Sequence, residues 1–165
     1  MKKLIYIEEN FISPSECQDL INLSKENEEE IPYGDESRGG NTYLTTLDGI
    51  YFEKEKNNVV EKVTNLCNTF DDRVIIDYAA VVRWPSGTFM KEHTDPPRPG
   101  QKPNLFAALV YLNDNFTGGY TQFEENVVKP EIGKLLVFSN SYYKHSVSKI
   151  EGSERFALSI WFNQK

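Results

Sequence analysis

The strongest constraint on the fold is a run of short strand-like segments after Asp72. Eight segments rich in Val, Ile, Phe and Tyr follow one another within about 90 residues, separated by clusters of Pro, Gly, Asn and Ser. No helical pattern interrupts them, which predicts antiparallel strands in a sandwich or barrel, and we expect a jelly roll, also called a double-stranded β-helix. The segments are RVIIDYAAVVRW, TFMKEHTD, LFAALVYLN, YTQF, NVVKP, KLLVFSN, HSVSKI and RFALSIWFN.

The N-terminal part of the chain predicts a strand followed by helices. Residues 2–7 favour a strand. A helix then begins with Ser13 as its cap, Pro14 at the first helical position and Glu16 completing a capping box. Apolar residues at helical spacing predict a second helix over about residues 50–70.

We predict one domain over residues 1–165, because the length suits a single core. Residues 1–72 supply the strand and supporting helices, and residues 73–165 form the jelly-roll core. Between the two predicted helices the chain is polar and rich in glycine. This segment is either a solvated loop or hairpin, or a mobile lid over a site, with residues 33–47 as the candidate lid.

The composition of the chain limits the kinds of partner and the compartment that we expect. The net charge of −7 argues against nucleic acid or an anionic membrane as the main partner. The two cysteines, Cys17 and Cys67, lie in predicted helices and are expected to be reduced thiols of a cytoplasmic protein. The N-terminal apolar run ends at Ile7, which is too short for a signal peptide. An excess of Lys over Arg is typical of AT-rich genomes, so we expect a bacterial or virus-encoded protein.

The motif His93-Thr94-Asp95 gives the first sign of chemistry. Residues i and i+2 of a strand project from one face, so His93 and Asp95 can both point inward. The only other histidine, His145, opens a later strand, and strands distant in sequence can be neighbours in a jelly roll. Two imidazoles and one carboxylate form the facial triad of non-haem Fe(II) oxygenases, whereas a structural zinc site is usually closed by four ligands.

Arg155 lies ten residues after His145 in an otherwise apolar strand. A buried guanidinium is costly unless it meets an anion, and its planar fork suits bidentate contact with a carboxylate. The partner is either an internal Asp or Glu or the far carboxylate of a bound dicarboxylate. Because the same sequence also carries the candidate metal ligands His93, Asp95 and His145, we favour a bound dicarboxylate as the partner of Arg155.

These motifs together resemble a known family. In order and spacing they are similar to the Fe(II)/2-oxoglutarate-dependent dioxygenases of the prolyl 4-hydroxylase type, over nearly the whole chain and least over residues 28–58. The arginine after the second histidine and the strand ending SIWF resemble the oxygen-sensing prolyl hydroxylases more than the collagen type. Besides the histidines, Asp95 and Arg155, the segments that carry the resemblance are YIEENFISPSECQDLI, LVYLND, TGGYTQF, PEIGKLLVF and HSVS…RFALSIWF.

The resemblance implies the main catalytic roles. By it, His93, Asp95 and His145 bind Fe(II) and carry the catalysis. Arg155 would bind the C5 carboxylate of 2-oxoglutarate, helped by the hydroxyl group of Tyr111.

Further roles follow from the same resemblance. Thr121 falls where the family lines the cosubstrate pocket, and Trp161 would line the entrance for substrate. Apart from the resemblance, we expect Arg38 to contact substrate because it lies in the glycine-rich candidate lid. The family usually has a tyrosine where this chain has Trp84 and an aromatic residue where it has Met90. An indole N–H donates a hydrogen bond but cannot accept one, so we expect Trp84 to alter the contact with the cosubstrate.

The implied activity is hydroxylation of an unactivated C–H bond with Fe(II), 2-oxoglutarate, O₂ and ascorbate, with release of succinate and CO₂. The expected substrate is a proline in a peptide or protein. Alternatives are a hydroxylase of a free amino acid or other small molecule, and a non-catalytic jelly-roll binding module. A zinc-dependent hydrolase or isomerase with the same ligands is a further alternative, but its nearest base, Glu92, should face away from the strand neighbour His93.

Overall fold

The computed structural model describes residues 3–27, 31–47, 58–97 and 104–164. Within these ranges the chain forms two helices and thirteen strands. The helices are α1 (Pro14–Glu26) and α2 (Asn58–Phe70). The strands are β1 (Ile5–Glu8), β2 (Ile31–Tyr33), β3 (Thr42–Thr46), β4 (Val74–Trp84), β5 (Met90–His93), β6 (Phe106–Tyr111), β7 (Thr117–Gly118), β8 (Thr121–Gln122), β9 (Val127–Val128), β10 (Leu135–Ser139), β11 (His145–Val147), β12 (Ile150–Glu151) and β13 (Arg155–Gln164).

The strands form two main antiparallel sheets. The major sheet has the order β1-β10-β6-β13-β4-β3-β2, and the minor sheet has the order β5-β11-β8-β9. Strands β7 and β12 form a separate two-stranded ribbon. Every strand pair in the described ranges is antiparallel. The prediction of a mostly β chain with antiparallel sheets is confirmed, and the two facing sheets are consistent with a jelly roll.

The two sheets pack face to face through an apolar layer. Val82 of the major sheet and Val147 of the minor sheet belong to one buried cluster. The rings of Phe138 in β10 and Phe123 lie 5.1 Å apart at 69°, an edge-to-face contact between the sheets.

Both helices cover the opposite face of the major sheet. Helix α1 begins as predicted: the Ser13 hydroxyl accepts a hydrogen bond from the Glu16 N–H, and the Glu16 carboxylate accepts one from the Ser13 N–H. Lys62 of α2 pairs with Glu16 over 2.7 Å and so ties the helices together. Cys17 and Cys67 are buried free thiols in this layer.

Residues 48–57, where the second helix was predicted to start, lie outside the described ranges. Neither described helix is long and apolar enough to cross a membrane.

Strand β13 runs through the middle of the major sheet and separates the helix layer from the minor sheet. Alternate side chains project to opposite faces. The residues on the helix side are Phe156, Leu158, Ile160 and Phe162. The residues on the side of the minor sheet are Arg155, Ala157, Ser159 and Trp161.

Each of the eight predicted segments contains a strand, with two differences in detail. The segment HSVSKI divides into β11 and β12, and the short β7 was not predicted. Upstream, β2 and β3 form a hairpin that extends the major sheet beyond β4. The candidate lid, residues 33–47, is therefore strand in part, and its tip over residues 34–41 joins the two strands.

Candidate active site

A cleft of about 730 Å³ opens between the major and minor sheets. Its floor is the major sheet, where Ala107 and Ser159 leave room because their side chains are small. Ser159 pairs with Leu109 on one side, and Trp161 pairs with Ala107. Larger side chains in the same register positions would fill this space.

His93 and His145 are direct neighbours on the minor sheet. Strands β5 and β11 pair with His93 opposite His145, and the ring centroids are 4.3 Å apart. The Asp95 Oδ1 atom lies 3.2 Å from His93 Nε2 and 3.7 Å from His145 Nε2. The possible ligand atoms of all three residues lie within 4.8 Å of one another. The structure thus brings the three predicted metal ligands together on one wall of the cleft.

Asp95 reaches this cluster in a way that strand alternation did not predict. Strand β5 ends at His93, so Asp95 lies two residues beyond the strand and directly before Pro96. The Trp161 indole N–H donates to Asp95 Oδ2 over 2.9 Å, and the Asn140 amide donates to the Asp95 carbonyl over 3.2 Å. Trp161, predicted at the substrate entrance, lines the cleft and also holds this carboxylate.

Hydrogen bonding fixes which nitrogen of His93 faces the cluster. Its Nδ1–H donates to the Lys91 carbonyl over 2.8 Å, so Nε2 of a neutral ring presents its lone pair to Asp95. A lone pair facing a carboxylate is unfavourable unless a proton or a metal cation lies between them. A backbone carbonyl on the other ring nitrogen is the usual partner of a metal-binding histidine.

The protonation equilibria differ between the members of the cluster. Burial raises the pKa of Asp95, but the hydrogen bond with His93, the charge of His145 and the Trp161 N–H outweigh it, so the pKa lies below its usual value. Burial lowers the pKa of His145 in spite of the attraction of Asp95. Burial also opposes protonation of His93, yet Asp95 and the Lys91 carbonyl raise its pKa overall. The shifts of Asp95 and His145 favour the forms that bind metals, an ionised carboxylate and a neutral imidazole. The raised pKa of His93 favours its protonated form when no metal is bound, so a metal would have to displace that proton.

Arg155 is fully buried on the opposite wall. None of its three guanidinium nitrogens has a hydrogen-bond acceptor among the described residues. Burial lowers its pKa, and the Tyr111 side chain acts in the opposite direction through its charge and a hydrogen-bonding contact that falls short of normal hydrogen-bond geometry. The rings of Trp84 and Tyr111 lie beside the guanidinium, with centroids 5.4 and 5.3 Å from Cζ. No internal Asp or Glu neutralises Arg155 in the described ranges, which favours an anionic ligand.

Tyr111 and Thr121 connect the two sheets near Arg155. The Tyr111 hydroxyl and the Thr121 hydroxyl lie 2.6 Å apart, and Thr121 lines the cleft. Burial raises the pKa of Tyr111, so the phenol stays protonated and can donate. Tyr111 is fully buried and is the one predicted site residue that does not itself line the cleft.

Arg38 lies at the mouth of the cleft on the hairpin tip. Its Cζ is 5.5 Å from the centre of the Trp84 ring. The tip is anchored by two backbone hydrogen bonds, from the Phe89 N–H to the Arg38 carbonyl and from the Lys91 N–H to the Ser37 carbonyl. The hairpin tip is therefore joined to the segment that leads to the first histidine.

Tyr78 lines the cleft but was not singled out from the sequence. Its ring lies 5.6 Å from the Trp161 ring, and its hydroxyl lies 2.8 Å from the Thr46 hydroxyl. Counting back in steps of two from Trp84 along β4 would have placed Tyr78 on the cleft side.

Asp77 also lines the cleft, and a β-bulge explains how. Trp161 pairs with Tyr78 and Phe162 pairs with Ile76, so Asp77 is an extra residue in β4. A bulge puts two consecutive side chains on one face, against the simple alternation of a strand. No pattern in the sequence indicates this bulge.

The donor set and its surroundings fit a catalytic metal rather than a closed structural one. Two imidazoles and one carboxylate with an adjoining cleft leave coordination positions for ligands. Glu92, the nearest base for a zinc hydrolase, is 63% exposed and lies 4.0 Å from Lys144, so it faces away from the cluster. A possible metal site on one wall and a buried, unpaired cation on the other define the class as a metal-dependent enzyme with an anionic cosubstrate.

Comparison with known proteins agrees with this class. Residues 79–163, more than half of the chain, match the family model of the 2OG-Fe(II) oxygenase superfamily. The chain is 25% identical over 190 aligned residues to a protein of Acanthamoeba polyphaga mimivirus named "Putative prolyl 4-hydroxylase", an alignment that covers 97% of this chain and 74% of the relative.

Two solved structures show the same fold at low sequence identity. One is the viral collagen prolyl hydroxylase of Paramecium bursaria Chlorella virus 1 in complex with 2OG, with a TM-score of 0.76, 20% identity and coverage of 98% of this chain and 96% of that one. The other is the Trichoplax adhaerens prolyl hydroxylase in complex with a hypoxia inducible factor peptide, with a TM-score of 0.72, 18% identity and coverage of 97% and 83%.

The chain belongs to the 2OG-Fe(II) oxygenase superfamily and is a 2-oxoglutarate-dependent dioxygenase with the fold of the prolyl hydroxylases. This membership implies Fe(II), 2-oxoglutarate and O₂ as cofactor and cosubstrates. It also argues against the non-catalytic binding module that the sequence left open.

Proposed function

We propose that this protein hydroxylates proline residues in a peptide or protein substrate. The observation that carries the chemistry is Arg155, a buried guanidinium without an acceptor, on the wall of the cleft opposite His93, Asp95 and His145. A ligand with two carboxylates can contact both walls at once. The names of the mimivirus relative and of the two structural neighbours support proline as the target.

In this proposal His93, Asp95 and His145 hold Fe(II), and Arg155 binds the C5 carboxylate of 2-oxoglutarate. Bound Fe(II) together with 2-oxoglutarate and O₂ supplies the oxidation of an unactivated C–H bond, and succinate and CO₂ are released. The Trp161 N–H keeps Asp95 in position for this role.

Other residues of the chain shape the cosubstrate end of the cleft. Tyr111 supplies a protonated hydroxyl beside Arg155, Thr121 fixes that hydroxyl, and Trp84 completes the wall. We propose that residues 1–165 act as one domain, with ascorbate serving as a reductant.

The cleft also offers apolar surface for the substrate. Trp161, Tyr78 and Met90 line it and offer surfaces on which a pyrrolidine ring can pack. Arg38 at the mouth would contact the backbone or an acidic side chain of the peptide. Residues 33–47 would act as a lid through the hairpin tip.

The lid role can be tested separately from the chemistry. Replacing residues 35–40 with a glycine linker should raise the KM for the peptide and leave peptide-free turnover of 2-oxoglutarate unchanged. Equal loss of both activities would contradict the lid role.

The chemistry is tested by loading the protein with Fe(II) anaerobically, adding O₂ and measuring succinate formed from 2-oxoglutarate. The wild type should turn over slowly without substrate. His145→Ala should lose more than about 100-fold in rate, since even the outer partners of metal ligands cost 10- to 100-fold. Arg155→Met should require a much higher concentration of 2-oxoglutarate. Glu92→Gln is the matched control, because Glu92 is charged, adjacent to His93 and exposed, and it should behave as wild type.

The substrate is tested with proline-containing peptides and free L-proline, by the stimulation of succinate formation and by the gain of one oxygen atom in mass spectra. Stimulation by peptides alone supports the proposal. Stimulation by free L-proline alone would replace it with a small-molecule hydroxylase on the same scaffold. Turnover that neither EDTA nor His145→Ala abolishes would refute the metal assignment.

A further inference from the structure

Arg155 and Trp84 are direct cross-strand neighbours, because β13 pairs with β4 in the register that sets Arg155 opposite Trp84. The guanidinium carbon lies 5.4 Å from the centre of the Trp84 ring. Arg155 is 0% exposed and Trp84 only 7% exposed, so water reaches neither side of this contact to any extent.

The environment of Arg155 makes this contact important. Its guanidinium nitrogens make no hydrogen bond of normal geometry in the described part of the chain, so the faces of the Trp84 and Tyr111 rings and the nearby Tyr111 hydroxyl are what offsets its charge there. Attraction between a cation and an aromatic face is strongest for tryptophan and grows when the pair is desolvated. The other ring, Tyr111, is tied to Thr121 through its hydroxyl.

We propose that Trp84 is a positioning residue for the cosubstrate, which holds the guanidinium of Arg155 against its ring face in the orientation that receives the distal carboxylate. This inference rests on the proposed function, since it takes Arg155 as the anchor of 2-oxoglutarate. It differs from a direct contact between Trp84 and the cosubstrate, because Trp84 then acts only through Arg155.

Arg38 contacts the same ring from the hairpin tip, with its Cζ 5.5 Å from the ring centre. One indole therefore contacts a cation at the buried end of the cleft and a cation at its mouth. Loss of the ring would remove a contact of both arginines.

A double-mutant cycle tests the proposal. Binding of 2-oxoglutarate to the anaerobic Mn(II)-loaded protein is measured by calorimetry for wild type, Trp84→Leu, Arg155→Met and the double variant. Trp84→Leu should weaken binding by about 10- to 30-fold in the wild-type background. In the Arg155→Met background the same substitution should change the affinity less than about 2-fold, because residues that act as a unit are not additive.

A second ligand separates positioning from direct contact. 2-Oxobutanoate carries the same keto acid but no distal carboxylate, so its affinity should not depend on Trp84. Two results would overturn the proposal in favour of direct contact or general structural damage. One is an equal loss of affinity for both ligands in Trp84→Leu, and the other is a loss of 2-oxoglutarate affinity in the Arg155→Met background as large as in the wild-type background. Trp84→Phe, which keeps a ring face, should retain most of the affinity and guards against a leucine variant that fails to fold.

The chain offers a matched control for the loss of an aromatic residue beside an arginine. The Cζ atom of Arg83 lies 4.2 Å from the centre of the Tyr43 ring. Tyr43 and Arg83 are cross-strand neighbours, and Arg83 points to the opposite face of the sheet from Trp84. Tyr43→Leu should leave the affinity for 2-oxoglutarate unchanged. If wild type does not bind 2-oxoglutarate, the proposed function and this inference both fail. If wild type binds and Trp84→Leu binds equally well, only the inference fails.

Discussion

The two faces of strand β13 are built from different kinds of side chain. Toward the helices the strand presents large apolar residues, and Leu158, Ile160 and Phe162 are each 0% exposed. Toward the cleft it presents a cation, two small residues and an indole. Because neighbouring residues of a strand face opposite ways, residues that stabilise the core alternate along β13 with residues that line the cleft. Substitutions at adjacent positions should therefore have opposite consequences.

The largest effect should come from the helix side. Leu158→Ala removes a fully buried side chain from the core and should lower the free energy of unfolding by about 2–5 kcal/mol. Urea denaturation measures this loss. The affinity of the folded fraction for 2-oxoglutarate should be unchanged, and a large loss of affinity would show that the two faces are not independent.

The opposite sign is expected on the cleft side, three positions earlier. Arg155→Met removes a buried cation that has no acceptor in the described ranges, and should raise the free energy of unfolding of the ligand-free protein by about 1–4 kcal/mol. Thermal and urea denaturation without 2-oxoglutarate measure this change. Arg83→Met is the matched control, since Arg83 pairs with Glu154 over 2.7 Å and its loss should not stabilise the protein. If Arg155→Met instead lowers the free energy of unfolding, groups of the protein itself compensate the charge of Arg155 without a ligand.

The contrast between the two faces was largely predictable because it depends on local periodicity and chain order. Alternation along RFALSIWF indicates which residues face the helices, and a jelly roll allows the strands of His93 and His145 to be neighbours, as the structure shows. The capping box of α1 is equally local, since Ser13 and Glu16 contact each other within one turn.

The remaining details depend on contacts that no local pattern encodes. Asp77 lines the cleft because the register of β4 against β13 shifts by one residue. Asp95 lies beyond the end of its strand and is held by Trp161, 66 residues further along the chain. Periodicity predicts the face of a residue only while a strand stays regular, and both of these carboxylates lie where regularity ends.

A smaller effect should follow from filling the cleft. Ser159 is 8% exposed and lies between Ala80 and Leu109 on the cleft floor. Ser159→Leu should weaken the binding of 2-oxoglutarate or peptide by about 10-fold, while stability changes by no more than about 1 kcal/mol because the new side chain enters open space. Calorimetry and denaturation of one preparation measure both quantities. Unchanged binding would show that the floor at Ser159 is not part of the occupied volume.

The smallest effect, an absence of reaction, should come from the cysteines on the helix side. Burial raises the pKa of Cys17 to about 11 and that of Cys67 to about 12, so almost no thiolate exists at pH 8. Iodoacetamide at pH 8 should modify neither thiol in the native protein and both in urea, as counted by mass spectrometry. Thr94→Cys places a thiol on the exposed rim of the cleft and should react readily. Rapid modification of Cys17 in the native protein would show that the helix layer opens. The helices would then protect that face of β13 from solvent much less than their burial in the structure indicates.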